Sequence, residues 1–251
     1  MPDTRTLRCQ FDNPRHHTLA GRLELPADQT PRCFALMSHC FTCSKDTLTS
    51  FRVSRGLAAQ GVGVLRFDLT GLGDSGGEFA DSNFTTMVED IVSAADFLQR
   101  EYTAPVALIG HSMGGTASLL AARRIDTCKT VVTLASPSQP DHVLHHFGPA
   151  LARLTAGDNA SIRVAGTDYP VKPQFVEDVK QYDMTRLMAG CNTAILAVRA
   201  GRDTLVPAAD ADAILRLSTG RSELLELAEA DHLFSERSQI DNIVEHILAF
   251  I

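Results

Sequence analysis

A short apolar segment, PVALIG at residues 105–110, leads directly into the pattern GHSMG at 110–114 and then into MGGTASLLAARR at 113–124. The first segment is typical of a buried strand and the last of a helix. A G-x-S-x-G pattern between a strand and a helix predicts a turn so tight that the residues beside the serine must be small. We therefore expect Ser112 on a sharp bend at the edge of a sheet, at the N-terminus of a helix.

Strand-like and helix-like segments alternate along most of the chain. Helix-like segments lie at 45–61, 83–102, 113–124 and 235–251. This alternation predicts right-handed crossovers and a mostly parallel sheet with helices on both faces. The sequence thus predicts an α/β fold with a sheet of about eight strands. The strand-like segments are 6–13, 17–26, 32–39, 62–69, 105–110, 131–136, 194–201 and 222–229.

The size and composition are those of one globular domain. The chain has 251 residues, of which 44% are hydrophobic and 21% are charged, so it can bury a core and is not expected to be disordered. Its formal net charge is −7, which offers no attraction to nucleic acid or to an anionic membrane. No apolar run approaches the roughly 18–20 residues that a membrane span needs.

The N-terminal segment and the cysteines indicate where the protein resides. Residues 1–17, MPDTRTLRCQFDNPRHH, contain no apolar stretch of the kind found in secretory signals. Six cysteines are spread along the chain, too sparsely for a disulfide framework. We therefore expect a cytoplasmic protein with reduced thiols. The cysteines are Cys9, Cys33, Cys40, Cys43, Cys128 and Cys191.

One segment interrupts the alternation. Residues 137–190 place 54 residues between two predicted core strands, far more than an ordinary connection. A connection of this size commonly forms a lid over a site. We therefore predict one domain, 1–251, with a cap inserted at about 137–190. The apolar residues of the cap could line an acyl pocket or pack onto the core, and we favour packing for most of Phe147, Leu151, Leu154 and Phe175.

A serine hydroxyl is a weak nucleophile, and it needs a base that is itself oriented by an acid. Folds in which a G-x-S-x-G turn carries the serine place the acid and then the histidine later in the chain. Asp203 follows the predicted strand 194–201, and His232 follows the strand 222–229. Both therefore lie at carboxyl ends of strands, where open α/β sheets place their sites. We predict a catalytic triad of Ser112, Asp203 and His232.

Other residues compete for these roles. Asp203 could instead cap the next helix, and His232 could be a buried structural histidine. Asp210 and Asp231 are alternative acids, but Asp210 lies inside the next predicted helix and Asp231 adjoins the histidine. We expect the side chain of His111 to point away from the serine, into the packing of the turn.

Acyl chemistry on a serine also needs two backbone N–H groups aimed at the oxyanion. One is expected at Met113, directly after the nucleophile. The other should lie in the loop after strand 32–39, where Phe41 is our candidate and His39 is expected to support the loop. The sequence thus predicts an oxyanion hole formed by the amides of Phe41 and Met113.

Four segments carry a resemblance to a known family: HCFTCSKD (39–46), LRFDLTGLGDSGGEF (65–79), NFTTMVED (83–90) and IGHSMGG (109–115). The chain resembles the α/β-hydrolase superfamily over nearly its full length. Within it, the chain is most similar to the hydrolase half of bacterial fusion proteins that carry a C-terminal OsmC-like domain. Many relatives have His-Gly where this chain has His39-Cys40. The sequence ends at Ile251, so no OsmC-like domain is expected within it.

Three further patterns suggest other chemistry. GLGDSG at 71–76 fits G-x-G-x-x-G, but a polar loop follows where a dinucleotide site would open a helix. We expect a tight loop beside the acyl site. Cys40 and Cys43 have C-x-x-C spacing, which we interpret mainly as small residues of the oxyanion loop, with redox modulation as the alternative. Three cap histidines at helical spacing favour a solvated helix over a metal site: His142, His145 and His146.

These residues predict a serine hydrolase that cleaves a small-to-medium carboxylic ester or thioester through an acyl-enzyme. No metal or organic cofactor is expected. The expected partner is a small-molecule acyl substrate, and a homodimer or an association with an OsmC-like domain is compatible with the sequence. A peptidase or amidase would use the same triad. A lyase, a perhydrolase and a non-catalytic binding module stay open, because the fold does not fix the reaction.

Overall fold

The computed structural model describes residues 3–251, and its central element is an eight-stranded sheet. The strands follow the predicted segments closely, because each segment is an apolar run bounded by turn residues. Their bounds are β1 (Thr4–Asp12), β2 (Thr18–Pro26), β3 (Cys33–Ser38), β4 (Val62–Phe67), β5 (Ala107–His111), β6 (Thr130–Leu134), β9 (Ala194–Ala200) and β10 (Ser222–Leu227). A separate two-stranded hairpin consists of β7 (Ala160–Val164) and β8 (Thr167–Val171).

The order of strands across the large sheet is β1-β2-β4-β3-β5-β6-β9-β10. β1 pairs antiparallel with β2, and β2 pairs antiparallel with β4, whereas all the other pairings are parallel. The predicted mostly parallel sheet is therefore confirmed. Since β3, β5, β9 and β10 are parallel, the loops that follow them meet at one edge of the sheet, and these loops carry the predicted site residues.

Helices cover both faces of the sheet. Their bounds are α1 (Leu48–Ala58), α2 (Phe84–Glu101), α3 (Met113–Ala122), α4 (Pro149–Thr155), α5 (Pro173–Lys180), α6 (Met184–Leu187), α7 (Ala208–Leu215) and α8 (Arg237–Phe250). α1 and α8 pack in one apolar cluster, and α2, α3 and α7 pack in the other. Among residues 3–251, no helix is both long and apolar enough to cross a membrane.

The first predicted helix begins later than expected. The pattern at 45–61 predicts a helix from Lys45, but α1 begins at Leu48. The reason is that the Lys45 side chain, which is only 1% exposed, is held in ion pairs with Asp68 and Asp74. Those contacts keep the residues before Leu48 in an irregular loop.

The inserted segment folds as helices around the β7–β8 hairpin, between β6 and β9. Between β6 and β7, the helical part of the insertion is divided into a 3-10 helix, Pro140–His146, and α4. The division falls at Gly148, which has a φ of +51°, and at Pro149, which opens α4. A left-handed backbone at Gly148 ends one helix, and the fixed φ of proline begins the next.

The large apolar residues of the insertion pack onto the core. Phe147, Leu154 and Phe175 are each less than 5% exposed, and the Phe147 and Phe175 rings stack with centroids 5.5 Å apart. Leu151 packs against the same cluster. These residues therefore hold the insertion in place, in agreement with the interpretation favoured from the sequence.

Candidate active site

Ser112 lies on the predicted bend between β5 and α3. Its backbone has a φ of +53°, a conformation that costs on the order of 1 kcal/mol for a residue with a side chain. The bend is held by the Ser112 N–H, which donates to the Leu134 carbonyl at 2.8 Å. A Cβ on Gly110 would lie 2.3 Å from the Gly114 carbonyl oxygen. Glycine at position 110 is therefore required by the close approach of strand and helix.

The loops after β9 and β10 bring Asp203 and His232 together. The Nδ1 atom of His232 lies 2.7 Å from Oδ2 of Asp203, and the two side chains are 11% and 3% exposed. The Nδ1–H group therefore donates a hydrogen bond to the carboxylate, which leaves Nε2 of a neutral imidazole as a proton acceptor. This is the pairing that the sequence predicts for the acid and the base.

Backbone amides also fix the Asp203 carboxylate. Its Oδ1 atom accepts hydrogen bonds from the N–H groups of Leu205 at 2.7 Å and Val206 at 3.0 Å. Burial favours the protonated acid, but the hydrogen bonds from His232 and these amides outweigh it and lower the pKa of Asp203. The group is therefore a carboxylate at neutral pH and can stabilise an imidazolium.

The two competing acids are engaged elsewhere. Oδ1 of Asp210 accepts from the backbone N–H and the hydroxyl of Ser138, at 2.7 and 2.5 Å. Asp231 accepts from the backbone and the hydroxyl of Ser235, at 3.0 and 2.6 Å. Asp231 thus closes a local turn, and Asp210 joins α7 to the loop after β6. The geometry therefore favours Asp203 as the partner of His232.

Ser112 and His232 line one cavity of about 690 Å³ beneath the insertion. Its wall is mostly apolar, and three of its leucines lie at the mouth, since Leu48, Leu205 and Leu233 are 50%, 45% and 51% exposed. Histidines aside, Arg163 carries the only full charge among the lining residues that the structure describes. The cavity thus suits an uncharged apolar group next to the serine.

The two amides predicted for the oxyanion hole flank this cavity, which Phe41 and Met113 both line. Over residues 3 to 251, neither amide donates a hydrogen bond to another protein group. The Met113 N–H lies in the first turn of α3, where helical amides have no partner within the helix. Both donors are therefore available to a ligand.

His39 fixes the peptide that carries the Phe41 amide. Its Nε2 atom accepts the N–H of Leu69 at 3.1 Å, so Nδ1 carries the proton and donates to the Cys40 carbonyl at 2.8 Å. Burial lowers the pKa of His39 and keeps it neutral. The Cys40 carbonyl and the Phe41 N–H belong to one planar peptide and point in opposite directions. His39 therefore supports the loop, as predicted.

A buried ion pair anchors the other end of this loop. The Nζ atom of Lys45 lies 2.6 Å from Oδ2 of Asp68 and 2.7 Å from Asp74. A Cβ on Gly73 would lie 2.1 Å from the Asp68 carboxylate. Gly73 thus makes room for this carboxylate beside the oxyanion loop, and Gly71 makes room for the Phe79 backbone, so two glycines of the G-x-G-x-x-G pattern have a packing role.

The structure corrects one expectation about the cysteines. Cys40 and Cys43 form a disulfide, whereas the sequence led us to expect six reduced thiols. Their Cα atoms are 5.3 Å apart, within the range that a disulfide spans. The C-x-x-C spacing is compatible with a disulfide. The sequence alone does not show that the loop folds back between the two residues.

His111 has a role that the sequence did not reveal. Its side chain is buried against the His232 and Phe234 rings, and its Nε2 atom lies 2.7 Å from the carbonyl oxygen of His232. The two imidazole rings have centroids 4.9 Å apart. The residue next to the nucleophile therefore holds the backbone of the predicted base. Only the pairing of the two loops could have shown this contact.

We expect His111 to make the fold sensitive to acid. Burial and then the neighbouring His232 lower the pKa of His111 to about 4, so the unfolded chain binds a proton between pH 6.5 and 4 that the folded chain does not. The free energy of unfolding should fall through this window by on the order of 3 kcal/mol, and not above pH 6.5. Urea unfolding at pH 7 and pH 4.5 measures this loss.

The His111→Gln variant is the matched test of this pH dependence. Its amide can reach the position of Nε2 and donate to the His232 carbonyl, but it does not titrate. The variant should therefore lose clearly less stability than the wild type between the two pH values. Equal losses would assign the acid sensitivity to other groups, such as His39.

The three histidines of the insertion are divided by the 3-10 helix. His142 and His146 line the cavity, and Nε2 of His142 lies 2.9 Å from the Leu205 carbonyl. Burial and His142 lower the pKa of His146. In the part of the chain that the structure describes, no cluster of His, Cys, Asp or Glu side chains is arranged to hold a metal ion. His145 and His146 are exposed, as expected of a solvated helix, and His142 and His146 also contribute to the cavity wall.

Comparison with known sequences identifies a family match and a local likeness to monoglyceride lipases. Residues 47–238 match the Hydrolase_4 family, described as serine aminopeptidase, S33. A 76-residue segment is 38% identical to the monoglyceride lipase of Mus musculus and covers 30% of this chain. That segment spans 25% of the lipase, so the likeness is confined to about a quarter of its length.

Comparison with solved structures extends over nearly the whole chain. The esterase domain of a Rhodothermus marinus protein is 34% identical, with a TM-score of 0.79, and the match covers 98% of this chain and 97% of that domain. Est1E from Butyrivibrio proteoclasticus, solved with ferulic acid bound, is 18% identical with a TM-score of 0.78, covering 96% of this chain and 98% of that one. At that identity the second likeness shows the fold alone.

Proposed function

The chain belongs to the Hydrolase_4 family of α/β serine hydrolases, and from this membership we propose that it cleaves small-to-medium carboxylic esters or thioesters through an acyl-enzyme. One observation carries the proposal. Nδ1 of His232 lies 2.7 Å from Oδ2 of Asp203, and His232 and Ser112 line the same cavity. The name of the Rhodothermus marinus relative, an esterase domain, supports the same reaction class.

In the proposed reaction, Nε2 of His232 accepts the Ser112 proton as Oγ attacks the substrate carbonyl carbon. Asp203 keeps the imidazole oriented and stabilises its positive charge. The N–H groups of Phe41 and Met113 bind the oxyanion of the tetrahedral intermediate. The imidazolium then gives its proton to the leaving alcohol or thiol. Water, activated by the same histidine, attacks the acyl-enzyme and releases the acid.

The cavity chemistry favours an ester or thioester over a substrate with a free N-terminal amine. An aminopeptidase binds the ammonium of its substrate, and an ammonium that leaves water needs a carboxylate partner. None of the cavity-lining residues between positions 3 and 251 is Asp or Glu, whereas Leu48, Leu205 and Leu233 surround the mouth. We therefore place the preferred substrate among uncharged acyl esters, although the family description names an aminopeptidase.

Matched substrates test this preference. We expect kcat/KM for p-nitrophenyl butyrate to exceed that for the p-nitroanilide of the same acid by at least about 100-fold, and alanine p-nitroanilide to be no better than the butyryl anilide. A series of p-nitrophenyl esters from acetate to long chains would size the acyl pocket. Alanine p-nitroanilide turned over as fast as the ester would instead establish the aminopeptidase alternative.

A non-catalytic binding module would retain the cavity but would not react with a fluorophosphonate, so labelling of Ser112 separates it from the hydrolase. The association with an OsmC-like domain stays a prediction of the sequence resemblance.

A further inference from the structure

The Cys40–Cys43 disulfide encloses Phe41, whose amide is one of the two proposed oxyanion donors. We propose that this disulfide is a redox modification site: its reduction by a small thiol loosens the Phe41 amide and lowers the turnover of the hydrolase. The inference rests on the proposed function, because it concerns the rate at which an oxyanion forms. It assigns a function to a C-x-x-C pair that the acyl chemistry itself does not use.

The disulfide closes a ring of residues 40–43, which contains the peptide that carries the Phe41 amide. The peptide between Cys40 and Phe41 carries both the Cys40 carbonyl and the Phe41 N–H. That carbonyl accepts from His39 Nδ1 at 2.8 Å and from the Cys43 N–H at 3.2 Å. The disulfide joins the residue at the start of this peptide to the residue that donates the second bond. Breaking it therefore releases one of the two supports of the peptide.

The loop is buried at its two ends, and a small number of contacts hold it between them. His39 is fully buried, and Lys45 is 1% exposed in its ion pairs. Between them, Thr42 and Cys43 are half-buried. The Tyr169 hydroxyl, on the β7–β8 hairpin, donates to the Thr42 carbonyl at 3.0 Å. The Phe41 ring also packs among three aromatic rings, so the covalent link is one of several constraints on this loop and the one that a thiol removes.

A small thiol can reach the disulfide through the active-site cavity. Both cysteines line the same cavity as Ser112, and Cys43 is the more exposed of the two. A thiolate that enters the cavity can attack Cys43 Sγ, which breaks the S–S bond and releases Cys40 as a thiolate that takes up a proton. A second thiol then displaces the mixed disulfide. Overall, two external thiols are oxidised to one disulfide and two cysteine thiols form.

The experiment compares the whole protein in its two redox states. After oxidation with diamide and after reduction with dithiothreitol, each sample is freed of reagent, and its thiols are counted in denaturant. We expect four thiols in the oxidised and six in the reduced protein. On p-nitrophenyl butyrate, kcat of the reduced protein should be at least about fivefold lower, with KM changed by less than about twofold.

This split between kcat and KM follows from the chemistry. Loss of one oxyanion donor costs about 10²- to 10³-fold in kcat, and a loosened donor loses part of that factor. The donor acts on charge that develops only in the transition state, so binding of the ester is spared. A disulfide with a purely structural role would change the thermal stability without this split.

Two variants complete the test. The Cys40→Ser, Cys43→Ser double variant should have the low kcat of the reduced protein and no response to dithiothreitol. Cys33→Ser, which removes a free thiol at the start of β3, should keep the full response. Reduction of the wild type tests the inference even where the double variant does not fold.

The outcomes separate this inference from the proposed function. Equal kcat values at four and six thiols would overturn the redox control and leave the hydrolase intact. Six thiols after diamide treatment would also overturn it, because the disulfide would not form. No ester hydrolysis in either state, together with no fluorophosphonate labelling, would overturn the proposed function and this inference with it.

Discussion

Replacing Ser112 with alanine is expected to lower kcat for p-nitrophenyl ester hydrolysis by roughly 10⁴-fold or more. Ser112 provides the only atom that forms the acyl-enzyme in the proposed reaction, so neither the base nor the oxyanion hole can compensate for its loss. Alanine keeps a Cβ at the +53° φ of this position, so the backbone strain of the bend is unchanged. The comparison of initial rates at saturating ester measures the effect.

Ser118→Ala is the matched control for this substitution. Ser118 lies on α3, the helix that follows Ser112. It is fully buried and donates to the Gly114 carbonyl at 2.7 Å, but it does not line the cavity. We expect its kcat to stay within about threefold of the wild type. A fluorophosphonate should label the wild type and Ser118→Ala but not Ser112→Ala. Residual ester hydrolysis at a wild-type rate in Ser112→Ala would assign the nucleophile to another residue.

The second large effect is expected from Asp203→Asn, which should lower kcat by about 10³- to 10⁴-fold. The amide can present an N–H to Nδ1 of His232, which would move the imidazole proton to Nε2 and remove the proton acceptor that Ser112 needs. The hydrogen bonds from Leu205 and Val206 to Oδ1 can persist with the asparagine oxygen. The loss should therefore fall on kcat, with KM and the melting temperature little changed.

Asp210→Asn is the control that separates the two candidate acids. Among residues 3–251, the Asp210 carboxylate accepts only from Ser138, so its replacement should change kcat by less than about threefold. If Asp210→Asn were the variant with the large loss, Asp203 would be a structural residue of its turn. The acid would then have to approach His232 through a rearranged loop.

The fold and the positions of the triad candidates could be predicted because each depends on local patterns. Apolar runs bounded by turn residues located the eight strands, and small residues around Ser112 located the bend. Asp203 and His232 were found because parallel strands bring the loops at their carboxyl ends together. In each case the neighbours along the chain contained the necessary information.

The features that the sequence did not predict depend on pairs of distant segments. The bond from His111 to the His232 carbonyl joins residues 121 positions apart, and that from Tyr169 to Thr42 joins residues 127 apart. The late start of α1 has the same origin, since Lys45 is held by Asp68 and Asp74 in another loop. Such contacts follow from how loops pack, and a pattern within one segment does not specify them.

The His111–His232 contact has a consequence for motion within the site. His111 and Ser112 are adjacent in the chain, and the His111 side chain is bonded to the backbone of the residue that would act as base. A displacement of the bend is therefore transmitted directly to the His232 backbone. We expect the two to fluctuate in concert, so that the separation of nucleophile and base varies less than the position of either one. Correlated movement of this kind would keep the reacting atoms at a constant separation while the surrounding loops move.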